Sequence, residues 1–133
     1  RNNGLIGKAE PRYAKFVSQL IATLGIESEE RGIHATGFYS VSGEQVTTDK
    51  EGIRATDFYG TSEKFANLPL PSIIIGHNRW ATNGDPKDNR NNHPFTSSRF
   101  GFIHNGVVAN VNVSNENLRM VSECDSEIMF RYF

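Results

Sequence analysis

The chain has 133 residues, with 14 Lys plus Arg against 15 Asp plus Glu and 37% hydrophobic residues. That is the size of one domain, long enough to bury roughly two thirds of its unfolded surface without a covalent staple. A formal net charge of −1 excludes a strongly basic nucleic-acid binder and a polybasic membrane-surface protein, and so much apolar content excludes a disordered segment.

The opening Arg1-Asn2-Asn3-Gly4 is polar, unlike a signal peptide, and Arg1 is not an initiator methionine. Tyr13, Phe16, Val17, Leu20, Ile21 and Leu24 recur at three- and four-residue steps, which predicts a helix over 11–24. Pro11 suits its first turn and Gly25 its C′ position. Glu27, Glu29 and Glu30 then read as a solvated acidic connector. The period changes to two in Gly37-Phe38-Tyr39-Ser40-Val41, a strand. Ser42-Gly43-Glu44 signals a turn, and Gln45-Val46-Thr47-Thr48 returns antiparallel. Residues 63–67 suit a short helix, closed off by Pro69 and Pro71. Three consecutive isoleucines in Ser72-Ile73-Ile74-Ile75-Gly76-His77 predict a strand covered on both faces.

From 84 to 92 the chain is polar and reads as a surface loop. Phe100, Phe102 and His104 alternate with Gly101, Ile103 and Asn105, as in a half-buried strand. Residues 116–121 and 125–133 read as helices. Ile128-Met129-Phe130-Arg131-Tyr132-Phe133 holds five apolar residues in six, so a piece of a longer polypeptide is expected. Helices and strands in this order fit an α+β layered domain. No apolar run approaches the length that crosses a bilayer. The single cysteine excludes a disulfide framework and suits the cytoplasm.

The chemistry-bearing motifs each have two readings. The four histidines, His34, His77, His93 and His104, lack the spacing of a zinc site, and the 85–92 loop lacks the glycine and terminal glutamate of a calcium loop, so no metal is expected. In Gly76-His77-Asn78-Arg79-Trp80-Ala81-Thr82-Asn83-Gly84 a buried strand runs into an arginine. A strand end is a rigid mount, and Arg79 there can hold a carboxylate by two parallel hydrogen bonds. Alternatively Trp80 packs in the core and Arg79 pairs with a structural acid. Asn105-Gly106 between apolar runs signals a type I′ hairpin turn. The same pair can also aim a side-chain amide and a backbone N–H at one spot, as an oxyanion hole does. Ser122 and Asp125 are spaced like a helix capping box, whereas Asp125 can also receive a substrate ammonium. Cys124 between two acids reads as a small semi-buried filler rather than a nucleophile.

Taken together and in order, these motifs resemble the class II glutamine amidotransferase domain, a family of N-terminal-nucleophile (Ntn) hydrolases. Arg31-Gly32-Ile33-His34-Ala35-Thr36-Gly37 is similar to the family's Arg-Gly-x-Asp-[Ser/Ala]-[Ala/Thr]-Gly segment. Gly76-His77-Asn78-Arg79-Trp80-Ala81-Thr82, His93-Pro94-Phe95, His104-Asn105-Gly106 and Ser122-Glu123-Cys124-Asp125-Ser126-Glu127 resemble its later motifs. The resemblance spans about a hundred residues and reads 1–133 as a fragment of a type-2 glutamine amidotransferase domain.

The resemblance implies a four-layer α/β/β/α sandwich of the Ntn-hydrolase type, here partial. It implies hydrolysis of the glutamine side-chain amide to glutamate and ammonia through a thioester on an N-terminal cysteine. That cysteine's own α-amino group, which titrates near pH 8, acts as base. Carried over by position, Asn105 and Gly106 form the oxyanion hole, Arg79 holds the α-carboxylate and Asp125 the α-ammonium. Thr82 and the backbone around Asn83 line the same pocket. The implied partners are glutamine and an ammonia-accepting synthase domain or subunit, with no cofactor, nucleic acid or membrane. The chain departs from the pattern: no cysteine stands near its start, His34 replaces an acid, Asn83 stands where some members have His, and Cys124 replaces a hydroxyl residue. Asn3-Gly4-Leu5-Ile6-Gly7 faintly echoes the family's Cys-Gly-Ile-Val-Gly opening. The helix follows closely, so the nucleophile strand is expected to precede Arg1. A non-catalytic relative that binds an amino acid or a protein partner is the alternative. The acceptor of the ammonia is left open.

Overall fold

The computed structural model describes residues 1–109 and 118–133. The hairpin between β2 (Ala35–Ser42) and β3 (Gln45–Glu51) has a two-residue loop, with Ser42 opposite Gln45. The isoleucine run forms β4 (Ile73–Arg79), antiparallel to β2 from Ala35↔Arg79 to Val41↔Ile73. On the other edge of β4 lies β1 (Asn2–Ile6), so the sheet order is β1-β4-β2-β3. The closeness of the first helix therefore leaves room for a strand within the given residues. Five residues ahead of the first helix suffice for a full antiparallel register, from Asn2↔His77 to Ile6↔Ile73.

A 3-10 turn at Pro11–Tyr13 leads into α1 (Ala14–Glu27). The predicted helix therefore runs past Gly25. That glycine is buried inside α1 because the Tyr59 ring occupies the place of its missing Cβ, so close approach rather than a helix stop explains it. Nor is the following acidic segment fully solvated. Glu29 is buried and accepts from Arg54 Nε (2.9 Å), Arg54 Nη2 (2.6 Å), Thr56 N–H (2.7 Å) and Thr56 Oγ1 (2.8 Å). Burial pushes its carboxyl up, but these bonds outweigh that and hold it below the usual range. The carboxylate thereby ties the end of α1 to α2 (Ala55–Thr61), which is followed by α3 (Glu63–Ala66).

The sheet has two unlike faces, because successive strand residues point to opposite sides. On one, Phe38 and Ile74 pack with Ile21 of α1, Phe58 of α2 and Phe65 of α3. Asn78 faces the same way, donating its Nδ2 to Gly25 O at 2.9 Å. The opposite face carries Gly37 and Tyr39 of β2 and His77 and Arg79 of β4. It is covered by a small sheet, β5 (Phe95–Thr96) with β6 (Gly101–Phe102), in which Gly101 lies against the Tyr39 ring. Over this sheet sits α4 (Ser126–Tyr132), whose Phe130 packs on Phe95 (5.8 Å between centroids), Phe100 (5.5 Å) and Phe102 (6.4 Å). The result is a mixed α/β arrangement with two antiparallel sheets.

Other expectations change. β4 is less covered than predicted, because Ile73 at its start stays 37% exposed. The strand expected around 100–104 is only two residues long, and β5 and β6 are joined through 97–100. Asn105-Gly106 is therefore not that hairpin's turn but a bend beyond β6. The helix predicted over 116–121 lies partly outside the described residues. Its described part, 118–121, is not helical. Among the described residues no helix is long and apolar enough to cross a membrane.

Candidate functional site

β4 ends where the helix-free face of the sheet meets the loop 84–94. That loop comes close because the His93 carbonyl sits where a side chain on Gly37 would be. Contrary to the reading of a solvated loop, Asn91, Asn92 and His93 are all buried. Their amides explain why. Asn91 donates Nδ2 to Asp85 O (3.0 Å) and accepts from Glu123 N–H (2.7 Å), joining the loop to the segment before α4. Asn92 donates Nδ2 to Pro86 O (2.7 Å) and Asn89 Oδ1 (3.0 Å). Its own Oδ1 accepts from Arg79 Nη1 at 3.0 Å.

Arg79 is 3% exposed. Its Nη2 donates to Asn83 O, and to Gly84 O at 3.1 Å. All three acceptors are neutral, so the structural acid of the alternative reading is absent among the described residues. Among the described residues neither Arg79 nor Asp125 forms an ion pair. Trp80, expected in the core on that same reading, is 57% exposed and rests against His34 at 4.8 Å between ring centroids. His34 stands where the resembled segment has an acid. Its Nδ1 accepts from Ala81 N–H (2.9 Å), and its backbone N–H donates to Arg79 O (3.0 Å). It therefore braces the turn that leaves β4.

Arg79, Thr82, Asn105, Gly106 and Asp125 all line one small cleft. Asn83 does not line it; its carbonyl serves Arg79 instead. Two bonds tie the Asn105-Gly106 bend to the head of α4. His104 Nδ1 meets Ser126 Oγ at 3.0 Å, and Val108 N–H donates to Asp125 Oδ2 at 2.6 Å. Asp125 is the N-cap residue of α4 and makes no side-chain cap, so the predicted capping box does not form. Ser122 is engaged elsewhere, by Glu127. That carboxylate is fully buried and accepts from Ser122 Oγ (2.6 Å), Ser122 N–H (2.7 Å), Val121 N–H (3.1 Å) and Arg131 Nη2 (2.6 Å). Burial pushes the Glu127 carboxyl up, and these donors together hold it below the usual range. It shapes the segment that presents Asp125. Cys124 also lines the cleft and is buried more deeply than expected.

Sequence reasoning missed the back wall. His77 and His93 line the cleft with rings 4.2 Å apart, and both are buried. Neither His93 ring nitrogen has a partner among the described residues, nor has His77 Nδ1. Burial, followed by nearby positive groups, pushes the His77 imidazole down to about 3. Burial first, then the charges of His77 and Arg79, push that of His93 down to about 2. Both rings are therefore neutral at neutral pH, and Arg79 is the buried cation beside them. The signal was present in the sequence: His77 shares the strand parity of Arg79, two residues away. Among the described residues no group of three or more His, Cys, Asp or Glu is placed to hold a metal ion.

A larger groove of about 590 Å³ lies apart from this cleft, floored by Phe95 and Phe130. Its cations Lys50, Arg90 and Arg131 already have acceptors in Asn92 O, Asp88 and Glu127, respectively. The cleft differs in holding a buried arginine and a carboxylate, neither of which forms an ion pair among the described residues. Arg1 and Arg31 also line the cleft, both exposed, so Arg79 is its buried cation and Asp125 its carboxylate, charges of opposite sign facing the same space.

The chain is similar to transferases whose names place glutamine among their substrates. No family model matches it. The relatives are called glutamine–fructose-6-phosphate aminotransferase (isomerizing). That of Oceanobacillus iheyensis is 34% identical over 131 residues, covering 94% of this chain and 18% of the relative. That of Tropheryma whipplei is 33% identical over 141 residues, covering 95% of this chain and 21% of the relative. A shorter stretch of 49 residues is 47% identical to the protein of Brucella suis. The chain thus spans about a fifth or less of the curated relatives it matches.

Proposed function

We propose that this chain is part of a class II glutamine amidotransferase domain and that its cleft binds free glutamine. Arg79 takes the α-carboxylate, Asp125 the α-ammonium, and Thr82 lines the amino-acid end. The Asn105 side-chain amide and the Gly106 N–H take the side-chain carbonyl oxygen as it becomes an oxyanion. The observation that carries this reading is that Arg79 and Asp125, 46 positions apart in the sequence, share one cleft while neither has an ionic partner among the described residues. On this reading the layers around the two sheets are a partial α/β/β/α sandwich.

The chemistry proposed for the domain is attack of an N-terminal cysteine thiolate on the glutamine amide. The cysteine's α-amine takes the thiol proton and passes it to the leaving nitrogen. Ammonia departs, a glutamyl thioester remains, and water releases glutamate. This chain does not carry that nucleophile. β1 contains no cysteine, and Asn3 stands opposite Gly76 with Nδ2 3.4 Å from Asn78 Oδ1. Cys124 cannot replace it, because its nitrogen is a peptide amide. Binding without turnover is therefore the proposed behaviour of these 133 residues. The sugar phosphate in the relatives' name suggests a sugar-phosphate-accepting synthase part as the recipient of ammonia.

Titration calorimetry with L-glutamine tests the reading. Saturable binding is expected, with no glutamate released. Absence of binding contradicts the proposed cleft, and glutamate release contradicts the proposed lack of a nucleophile. The second reading, a non-catalytic domain that binds an amino acid or a protein partner, is favoured by Asn3 in β1. A native mature chain whose first strand opens on Asn rather than Cys supports it.

A further inference from the structure

We infer that Asn92 is a positioning and specificity-determining residue, which holds Arg79 in place while leaving its charge free for a ligand carboxylate. The inference rests on the amino-acid cleft proposed above. A buried guanidinium needs acceptors, and the usual one is a carboxylate. A carboxylate here would form an internal ion pair and compete with any external anion. The structure supplies neutral acceptors instead: Asn92 Oδ1 at 3.0 Å, Gly84 O at 3.1 Å, and Asn83 O. The Asn92 side chain has one orientation that satisfies every partner. Its NH2 group serves Pro86 O and Asn89 Oδ1, so its oxygen faces Arg79. The residue is 0% exposed, and Lys50 Nζ pins its backbone through Asn92 O (2.6 Å) and Pro94 O (3.0 Å). Of the arginines that line the cleft, Arg1 and Arg31 are exposed and Arg79 alone is buried, so Arg79 is the one whose place its neighbours fix.

Asn92→Asp is nearly isosteric and separates geometry from charge. The experiment titrates the full chain with L-glutamine and with L-glutaminamide, whose α-carboxylate is replaced by a neutral amide. The unaltered protein prefers glutamine. Asn92→Asp weakens glutamine binding by about tenfold or more and narrows the preference over glutaminamide, while the thermal midpoint holds or rises. A merely structural role would weaken both ligands in parallel. Asn92→Ala keeps the guanidinium charged but less fixed. It weakens glutamine more than glutaminamide, which has no carboxylate for Arg79 to hold, so it too narrows the preference, and it decides the matter should the Asp variant fail to fold. Unchanged glutamine affinity in either folded variant overturns the inference, as does a parallel loss of both ligands in Asn92→Asp. A wild-type chain that binds neither ligand overturns the cleft itself, and the inference with it.

Discussion

The two faces of the four-stranded sheet solve burial in opposite ways. Under the helices, Phe38, Phe58, Ile74 and Ile21 fill space with carbon, and Phe38 meets Phe58 and Phe65 edge to face at 6.2 and 5.9 Å. On the other face, burial falls on His77, Arg79, Asn91, Asn92 and His93. The apolar face gains from every atom removed from water. The polar face incurs desolvation that its hydrogen bonds only partly offset, and among the described residues it keeps a cation without an ion pair and three imidazole nitrogens without a partner. On the proposed reading, stability resides in the first face and function in the second. Mutations in the two should therefore separate cleanly.

The largest effect belongs to the apolar face. Phe38→Ala removes the side chain at the centre of the core and should cost about 3–5 kcal/mol in urea denaturation, enough to approach the whole stability of a small domain. On the polar face Arg79→Met should behave in the opposite way. Glutamine binding should fall by about 2–5 kcal/mol in calorimetry, while the unfolding midpoint barely moves, since an uncompensated buried cation is removed with its function. A large loss of stability in that variant would break the comparison. Gly25→Ala pushes a methyl group into the Tyr59 ring and should destabilise by about 1–3 kcal/mol without changing ligand affinity.

The histidine pair sharpens the contrast through pH. The unfolded chain takes up protons near pH 6.5 that the folded chain refuses until about pH 3 at His77 and about pH 2 at His93. Stability is therefore full above pH 6.5 and is lost as pH falls from there towards those folded values. The slope is up to about 1.4 kcal/mol per pH unit for each ring. Substituting both His77 and His93 with Gln should flatten the loss between pH 6.5 and 5 in acid denaturation monitored by circular dichroism. The smallest effect is expected at the surface. Arg90→Ala breaks an exposed pair with Asp88 and should leave the thermal midpoint within error.

What the sequence made legible is periodic. The alternation of β2 and β3, the three- and four-residue steps of α1 and the isoleucine run of β4 report directly which residues share a face. Arg79 at the end of that strand was legible as a mounted cation for the same reason. Where the sequence misled, polar residues were turned inward. Asn91 and Asn92 sit in a run that reads as solvated, because composition does not say which carbonyls a buried amide will meet. Glu29 and Glu127 were read as a solvated connector and a motif member. Each is instead the buried acceptor that organises the backbone around it. The helix α2 escaped notice because Ala55-Thr56-Asp57-Phe58-Tyr59-Gly60-Thr61 has weak helix formers and no second turn to establish a period; the packing of Phe58 holds it in place.

The most direct test of the account is to titrate a ¹⁵N-labelled chain with L-glutamine and follow its amide resonances. The account predicts saturable shifts concentrated at Arg79, Thr82, Asn105, Gly106 and Asp125, absent from the Phe38 face of the sheet. A spectrum that stays still, or shifts confined to residues outside that cleft, would contradict it.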